Sequence, residues 1–322
     1  MAHNIRPSFT IREYQDSDIS PLLAVIRAAA RLDSEPFLLT EAAFRDRLNS
    51  PGLDPCQDVF IAEVPGLGPV GYAEGQFIGD GNQLFYRTRG SVHPDCRRQG
   101  IGRALLECLW QRAQTLSSYA RNRPVTLASR ALTSQPGAIA LFESFSMRPV
   151  RHFLELSRDL TAPLPELRPP PGILLQRWCD RRSYRAVWSA LNEAFSDHWN
   201  PIPESFKVFE HHIRSKVFDL KHSWIAWDGE QVAGGALNRI GPETAALRDQ
   251  NQGYVNQLFV RRPWRRQGIG TALLVATMED ARQAGHISLG LNVDANNLSG
   301  AVQFYESIDF YHSREWIMYQ RS

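Results

Sequence analysis

The sequence is short of the features that mark membrane, secreted or metal-bound chains. Its four cysteines, Cys56, Cys96, Cys108 and Cys179, form no CxxC pair and no set with histidine at zinc spacing, so neither a structural metal nor a disulfide framework is expected. No segment approaches the roughly 18 consecutive apolar residues of a membrane span, and MAHNIRPSFTIREY at the N-terminus lacks the apolar core of a signal peptide. A cytoplasmic protein with no membrane partner is expected. Charge of one sign is also missing: 36 Lys and Arg against 34 Asp and Glu leave +2, which speaks against a protein that coats nucleic acid. At the segment RRQGIG, which the chain carries twice, neither of the familiar phosphate loops GxxxxGK[ST] and GxGxxG is formed. The 43% of hydrophobic residues in 322 is enough apolar material for about two packed domains.

The chain repeats itself. RRQGIG occurs at Arg97–Gly102 and again at Arg265–Gly270, 168 residues later, each copy five residues after a valine (Val92, Val260). After each copy runs an apolar stripe at helical spacing: Ile101, Leu105, Leu106, Trp110 and Ala113, then Ile269, Leu273, Leu274, Met278 and Ala281. AIALFESFSM from Ala138 returns as AVQFYESIDF from Ala301, and IREYQD from Ile11 as LQRWCD from Leu175. The order of matches is preserved, as in a tandem duplication. Between the halves, prolines in TAPLPELRPPPG disfavour helix and ladder pairing. The expected domains are 1–160, a linker at 161–172, and 173–322. Each half opens with a strand (Phe9–Tyr14, Ile173–Trp178) and a helix (Pro21–Ala30, Tyr184–Phe195). Hairpins, a long strand, the RRQGIG turn with its helix, and a further strand, short helix and last strand follow. The fold class is mixed α/β: two similar lobes, each a mostly antiparallel twisted sheet flanked by helices.

A strand, a glycine-bearing turn and a helix gather unpaired backbone N–H groups at the positive end of the helix dipole, where phosphate binds well. Gly268 and Gly270 keep side chains out of the way, and Arg265 and Arg266 bring charge that suits a diphosphate. VRRPWRRQGIGTALL and VHPDCRRQGIGRALL resemble the acetyl-CoA motif [QR]xxGx[GA] of the GNAT superfamily of N-acetyltransferases. LNVDANNLSGAVQFYESIDF resembles that family's next motif, with an asparagine ahead of a tyrosine-bearing helix. The paired arrangement, with FSDHW at Phe195–Trp199, looks like the tandem subgroup that includes mycothiol synthase.

The resemblance implies an acyl-CoA-dependent N-acetyltransferase whose acceptor is a primary amine of a small molecule or peptide. In the second half it implies a cofactor site of Leu258, Phe259, Val260, Arg265, Arg266, Gln267, Gly268, Ile269, Gly270, Thr271 and Asn297, with Tyr305 as the acid that protonates the leaving thiolate. The long strand carries Tyr254, Val255, Asn256 and Gln257 and offers no carboxylate as base. A water relay through Asn256 or Gln257, an acceptor amine that arrives deprotonated, and His198 beside Trp199 all remain open. The first half keeps Val92, Arg97, Arg98, Gln99, Gly100, Ile101, Gly102 and Arg103 as a second cofactor contact set. It has Phe142 where the second has Tyr305, so it is expected to be catalytically degenerate. The rival reading is a non-catalytic acyl-CoA sensor or interaction protein, monomeric or homodimeric like the enzyme.

Overall fold

The computed structural model describes residues 8–35, 39–79, 84–119, 123–199, 201, 203–215, 218–241, 251–297 and 300–322. Chain contacts divide it into two compact units, Met1–Arg151 with Trp316–Ser322, and His152–Glu315. Among the described residues no helix is long and apolar enough to cross a membrane.

In the first unit the strands are β1 (Thr10–Glu13), β2 (Val59–Val64), β3 (Gly68–Gly79), β4 (Leu84–Val92) and β5 (Val125–Leu132), joined by the later part of β12 (Tyr311–Arg321). They lie in the order β1-β2-β3-β4-β5-β12, antiparallel except for β4 with β5. The second unit takes the later part of β6 (Arg148–Asp159), then β7 (Ile173–Arg177), β8 (Trp224–Asp228), β9 (Gln231–Arg239), β10 (Gln252–Val260) and β11 (Ser288–Asp294). Their order is β6-β11-β10-β9-β8-β7, with β10 and β11 the parallel pair.

The units therefore differ from the expected cut at residue 160, because each half lends its last strand to the other unit. Phe153–Asp159 of β6 pairs with β11, and Trp316–Arg321 of β12 pairs with β5. Side-chain burial holds the exchange in place. Leu156 and Leu160 enter the core with Leu289 and Leu291, and Tyr319 enters that of the first unit, its ring 5.4 Å from Phe142. Arg321 lies 4.2 Å above the Trp110 ring and donates to Phe145 O at 3.0 Å. The proline-rich segment is likewise part of the second unit: Leu164 and Leu167 pack on its core, and Pro163 O accepts from the Arg158 guanidinium at 2.9 Å.

Each sheet is covered by helices whose apolar stripes face it. In the helix Ile19–Leu32 the buried side chains are Ile19, Leu22, Leu23, Val25, Ile26, Ala29 and Ala30, one broad face at 3.6 residues per turn. The next helix, Glu41–Leu48, starts where Thr40 Oγ1 accepts from Ala43 N at 3.2 Å, an ordinary N-cap. On the other face of the first sheet, the helix Ile101–Tyr119 packs Leu105, Leu106, Leu109 and Ala113 with Leu84, Tyr86 and Leu127.

Gly75 makes room for one member of that core. A Cβ at this position would fall inside the Tyr86 ring, which is fully buried and donates its hydroxyl to Asp58 Oδ1 at 2.9 Å. Arg112 Nε reaches the same oxygen at 2.8 Å. Gly75→Ala is expected to lower the unfolding free energy by about 1–3 kcal/mol or more, the range for overpacking. Urea denaturation measures it, and an unchanged midpoint would show that Tyr86 can move aside at no cost.

Candidate active site

Two features of the second unit define the site. The first is a separation of strands. The ladder between β10 and β11 covers Gln252↔Ser288 to Val255↔Leu291, while the strands run on to Val260 and Asp294. Just where it stops, the pairing of β10 with β9 shifts by one residue between Val255 and Gln257. Asn256 is the extra residue of this bulge, and a bulge re-aims the backbone next to it. Beyond it Phe259 is buried toward one face, among Val187, Leu191 and Phe209, while Leu258 and Val260 pack toward the helix Ile269–Gln283.

The second feature is the turn at the end of β10. Arg266 and Gly268 both have left-handed backbone, at φ 62° and 83°, and Gly268 caps the helix Ile269–Gln283. Alternation of this kind points successive N–H groups into one concavity, and the first N–H groups of any helix lack intrahelical partners. Ile269 is 1% exposed and part of the core, so it offers the concavity its main chain alone. Gly270 lies against the next helix, where a Cβ would be in van der Waals contact with Phe304 Cζ at 3.4 Å.

The side chains of the turn do not all behave as the motif implied. Arg265 is committed to its own protein: Nε donates to Val260 O at 3.0 Å, one terminal nitrogen to Ala194 O at 3.0 Å and the other to Asp197 at 3.0 Å. Gln267 folds back on Pro263 O at 3.0 Å. Both brace the turn, and the guanidinium expected to reach phosphate oxygens from Arg265 is spent on the loop after the helix Tyr184–Phe195. Arg262 joins it on Asp197. The Arg266 guanidinium lies near Gly300, which caps the helix Ala301–Glu306. Asn297 donates its N–H to Asp294 O at 3.1 Å and so shapes the approach to that helix.

Tyr305 stands on the helix Ala301–Glu306, 8% exposed, among Leu291, Val293, Ile308 and Phe310. The rings of Phe304 and Phe310 lie 5.2 Å and 5.8 Å from its own. Burial raises its phenol above the usual value, so it stays protonated throughout the neutral range. Leu291 and Val293 belong to the part of β11 where its ladder with β10 ends, which puts Tyr305 beside the separation. Gln257 Oε1 is buried without a hydrogen-bond partner, and such an acceptor costs about 1–3 kcal/mol until a donor meets it.

His198 is exposed, and its ring lies edge-on to Phe195 with centroids 4.4 Å apart. Desolvation at that contact lowers its pKa, Asp294 pulls the other way, and Arg265 adds to the lowering. Trp199 beside it is half-buried. These groups place His198 next to the turn. The sequence reading missed Asp197, although it has a counterpart in the first unit at the same place in the repeat.

The first unit reproduces the turn and departs elsewhere. Arg98 and Gly100 are left-handed at φ 63° and 91°. Arg97 donates from Nε to Val92 O at 3.2 Å and pairs through both terminal nitrogens with Asp33 at 2.7 Å. Gln99 turns back on Asp95 O, Arg103 reaches Ser144 O, and Ile101 is buried. A Cβ at Gly102 would meet Leu141 at 3.1 Å. The ladder of β4 with β5 ends at Arg87↔Ala128, so the strands separate as in the second unit. The pairing of β3 with β4 runs without a register shift from Gly71↔Val92 to Gly79↔Leu84. There is no bulge there, and Phe142 has no hydroxyl.

Comparison with known proteins agrees with this geometry. The acetyltransferase (GNAT) family matches residues 184–310, and an acetyltransferase (GNAT) domain matches residues 55–145. A mycothiol acetyltransferase of Thermomonospora curvata is 29% identical over 318 residues, 95% of this chain and 94% of that protein. One from Salinispora arenicola is 30% identical over 239 residues, 72% of each. Among solved structures, a GCN5-related N-acetyltransferase from Sphaerobacter thermophilus has a TM-score of 0.73 at 23% identity, covering 98% of this chain and 96% of that one. A tandem GNAT protein from the clavulanic acid biosynthesis pathway has 0.71 at 17% identity, covering 98% of both.

Proposed function

The chain belongs to the GNAT family of acyl-CoA-dependent acetyltransferases, and on that footing we propose that it moves an acetyl group from acetyl-CoA to a primary amine, with the chemistry in its second unit. The observation that carries the reading is the conjunction there of strand separation, a bulge at Asn256, the left-handed turn and a neutral phenol. Acetyl-CoA supplies the thioester. The main chain of Arg266 to Thr271 holds its diphosphate, with Arg266 as the side-chain cation, and Leu258 to Val260 line the arm. A main-chain N–H at the bulged strand stabilises the oxyanion, an effect of about 2.7–4 kcal/mol in other acyl-transfer sites.

The amine nitrogen bonds to the carbonyl carbon as its proton passes to solvent through a water held by Gln257 or Asn256. The carbon–sulfur bond then breaks, and Tyr305 Oη gives its proton to the departing sulfur. The unpartnered Oε1 of Gln257 is suited to accept from the incoming amine. The name shared by the curated relatives makes an amine related to mycothiol the first acceptor to test. The first unit, with no bulge where β4 pairs with β3 and no hydroxyl at Phe142, acts as a scaffold or retains CoA.

Release of free CoA with mass-spectrometric identification of an acetylated amine tests the proposal. Acetyl-CoA that binds tightly but is never consumed, across small-molecule and peptide amines, would favour the sensor reading instead. His198→Ala is expected to leave the acidic limb of the kcat/KM profile unchanged, with a loss far below the roughly 10²–10⁴-fold of a missing base. Its lowered pKa leaves it neutral at pH 7, so a true base at this position would produce a limb below pH 6.5 that the variant abolishes.

A further inference from the structure

In the first unit the strand separation is bordered by guanidinium groups. Along β4, Leu84 and Tyr86 enter the core against the helix Ile101–Tyr119, so by alternation Arg87 and Arg89 lie on the opposite face. The same reasoning applies to β5, where Val125, Leu127 and Ala131 enter that core and Arg130 faces away. Arg89 and Arg130 each stand two residues beyond the last paired rung, Arg87↔Ala128, on opposite sides of the gap. Arg47 comes to this face from the helix Glu41–Leu48: Nε lies 2.8 Å from Glu74, and a terminal nitrogen donates to Tyr72 Oη at 3.0 Å.

Glu74 sits opposite Arg89 in the ladder, is 2% exposed, and meets Arg89 only at 3.6 Å. Glu35 also acts on Arg47, and it already accepts from Gln135 at 2.8 Å. Arg130 lies 4.5 Å above the Trp316 ring. Arg47 and Arg89 thus share Glu74, and Arg47, Arg130 and Arg87 all lie close enough to repel Arg89. Burial, followed by repulsion from Arg47, with Glu74 opposing and Arg130 and Arg87 adding to it, pushes Arg89 down to about 10. The Arg89 side chain is nevertheless 39% exposed, so it is crowded by protein and still reachable, as in a cleft. In the second unit the residue three before the strand-ending valine, as Arg89 is before Val92, is the neutral Gln257.

We propose that this cleft of the first unit binds a small polyvalent anion, a carboxylate- or phosphate-bearing molecule held between Arg89 and Arg130. Guanidinium forks match the oxygens of both groups, and a bound anion relieves the repulsion among the arginines. The same field disfavours an ammonium group, so the two units of one duplicated fold select ligands of opposite charge. This site is separate from the diphosphate turn at Arg97–Gly102 and does not depend on acetyl transfer in the second unit.

Isothermal titration of the full chain with citrate, and in parallel with inorganic phosphate, tests it. The expected result is binding by the wild type, weakened at least about tenfold in Arg89→Gln/Arg130→Gln, retained in Arg89→Lys/Arg130→Lys, and retained in Gly100→Val, which disables the turn. The stronger of the two probes identifies the class of anion. Unfolding midpoints of the glutamine and lysine variants are compared, so that loss of binding is read from a folded protein. Absence of millimolar binding in the wild type overturns the proposal. So does binding that survives the glutamine pair and disappears with Gly100→Val.

Discussion

Tyr305→Phe is expected to lower kcat by about 10²-fold or more, the range for loss of a positioned proton donor, with the KM for acetyl-CoA close to wild type. The change removes one oxygen and leaves the ring among Phe304, Phe310 and Val293, so packing is preserved and the missing proton is what the rate reports. Burial keeps this phenol protonated above its usual range, so the wild-type profile should show no limb from Tyr305 below about pH 10. A raised pKa also makes it a weak acid. It delivers its proton only because a thiolate forming in the same dry surroundings is itself a strong base. An acyl donor whose leaving group is a stable aromatic thiolate, which needs no proton, should narrow the gap between variant and wild type. Equal kcat for both proteins on the natural thioester would remove Tyr305 from the chemistry. The converse change, Phe142→Tyr, should create no activity in the first unit, because the strand there has no bulge to present an oxyanion donor.

What the sequence disclosed follows from what its residues are obliged to do. A left-handed turn ahead of a helix needs glycine, so the turn could be read from Gly100 and Gly268 in both halves. The core stripes of the two long helices follow from their period. The exchange of last strands was hidden, because β6 and β12 carry apolar faces that suit either parallel-strand edge, and composition does not say which edge receives which strand. From sequence alone Arg265 looks like a phosphate ligand, because its partner Asp197 lies 68 residues upstream. A signal did exist: Asp33 and Asp197 are 164 residues apart, the same offset as the opening strands, and each pins the first arginine of its turn. The bulge at Asn256 is one residue within an offset that grows from 164 to 168 between the opening strands and the turn. Nothing in its side chain marks it. Glu74, Arg89 and Arg130 are legible as residue types alone, since it takes strand register to put them on one face.

Gly268→Val and Gly270→Val should fail in opposite ways, although the glycines are two residues apart. At Gly268 the space is open, the nearest atom to a new Cβ being Pro170 Cγ at 3.9 Å, but φ is 83°. A β-branched side chain in that conformation costs about 1–3 kcal/mol, and the turn relieves the strain by leaving the alternation that aims its N–H groups at one point. The KM for acetyl-CoA should then rise at least about tenfold, with kcat at saturation largely kept. At Gly270 the backbone is ordinary and a Cβ alone would be in van der Waals contact, with Phe304 Cζ at 3.4 Å and Val260 Cγ2 at 3.9 Å, so it is the two methyls of a valine that press on these neighbours. A valine there displaces Phe304 and with it Tyr305, the next residue of a six-residue helix. Misplacing a reacting group by about 1 Å is worth up to about 10²-fold, so kcat should fall while KM changes less. Steady-state kinetics of the two variants separates the effects. If both raised KM alone, the helix Ala301–Glu306 would have no part in catalysis, and the proton for the departing sulfur would have to come from a group other than Tyr305.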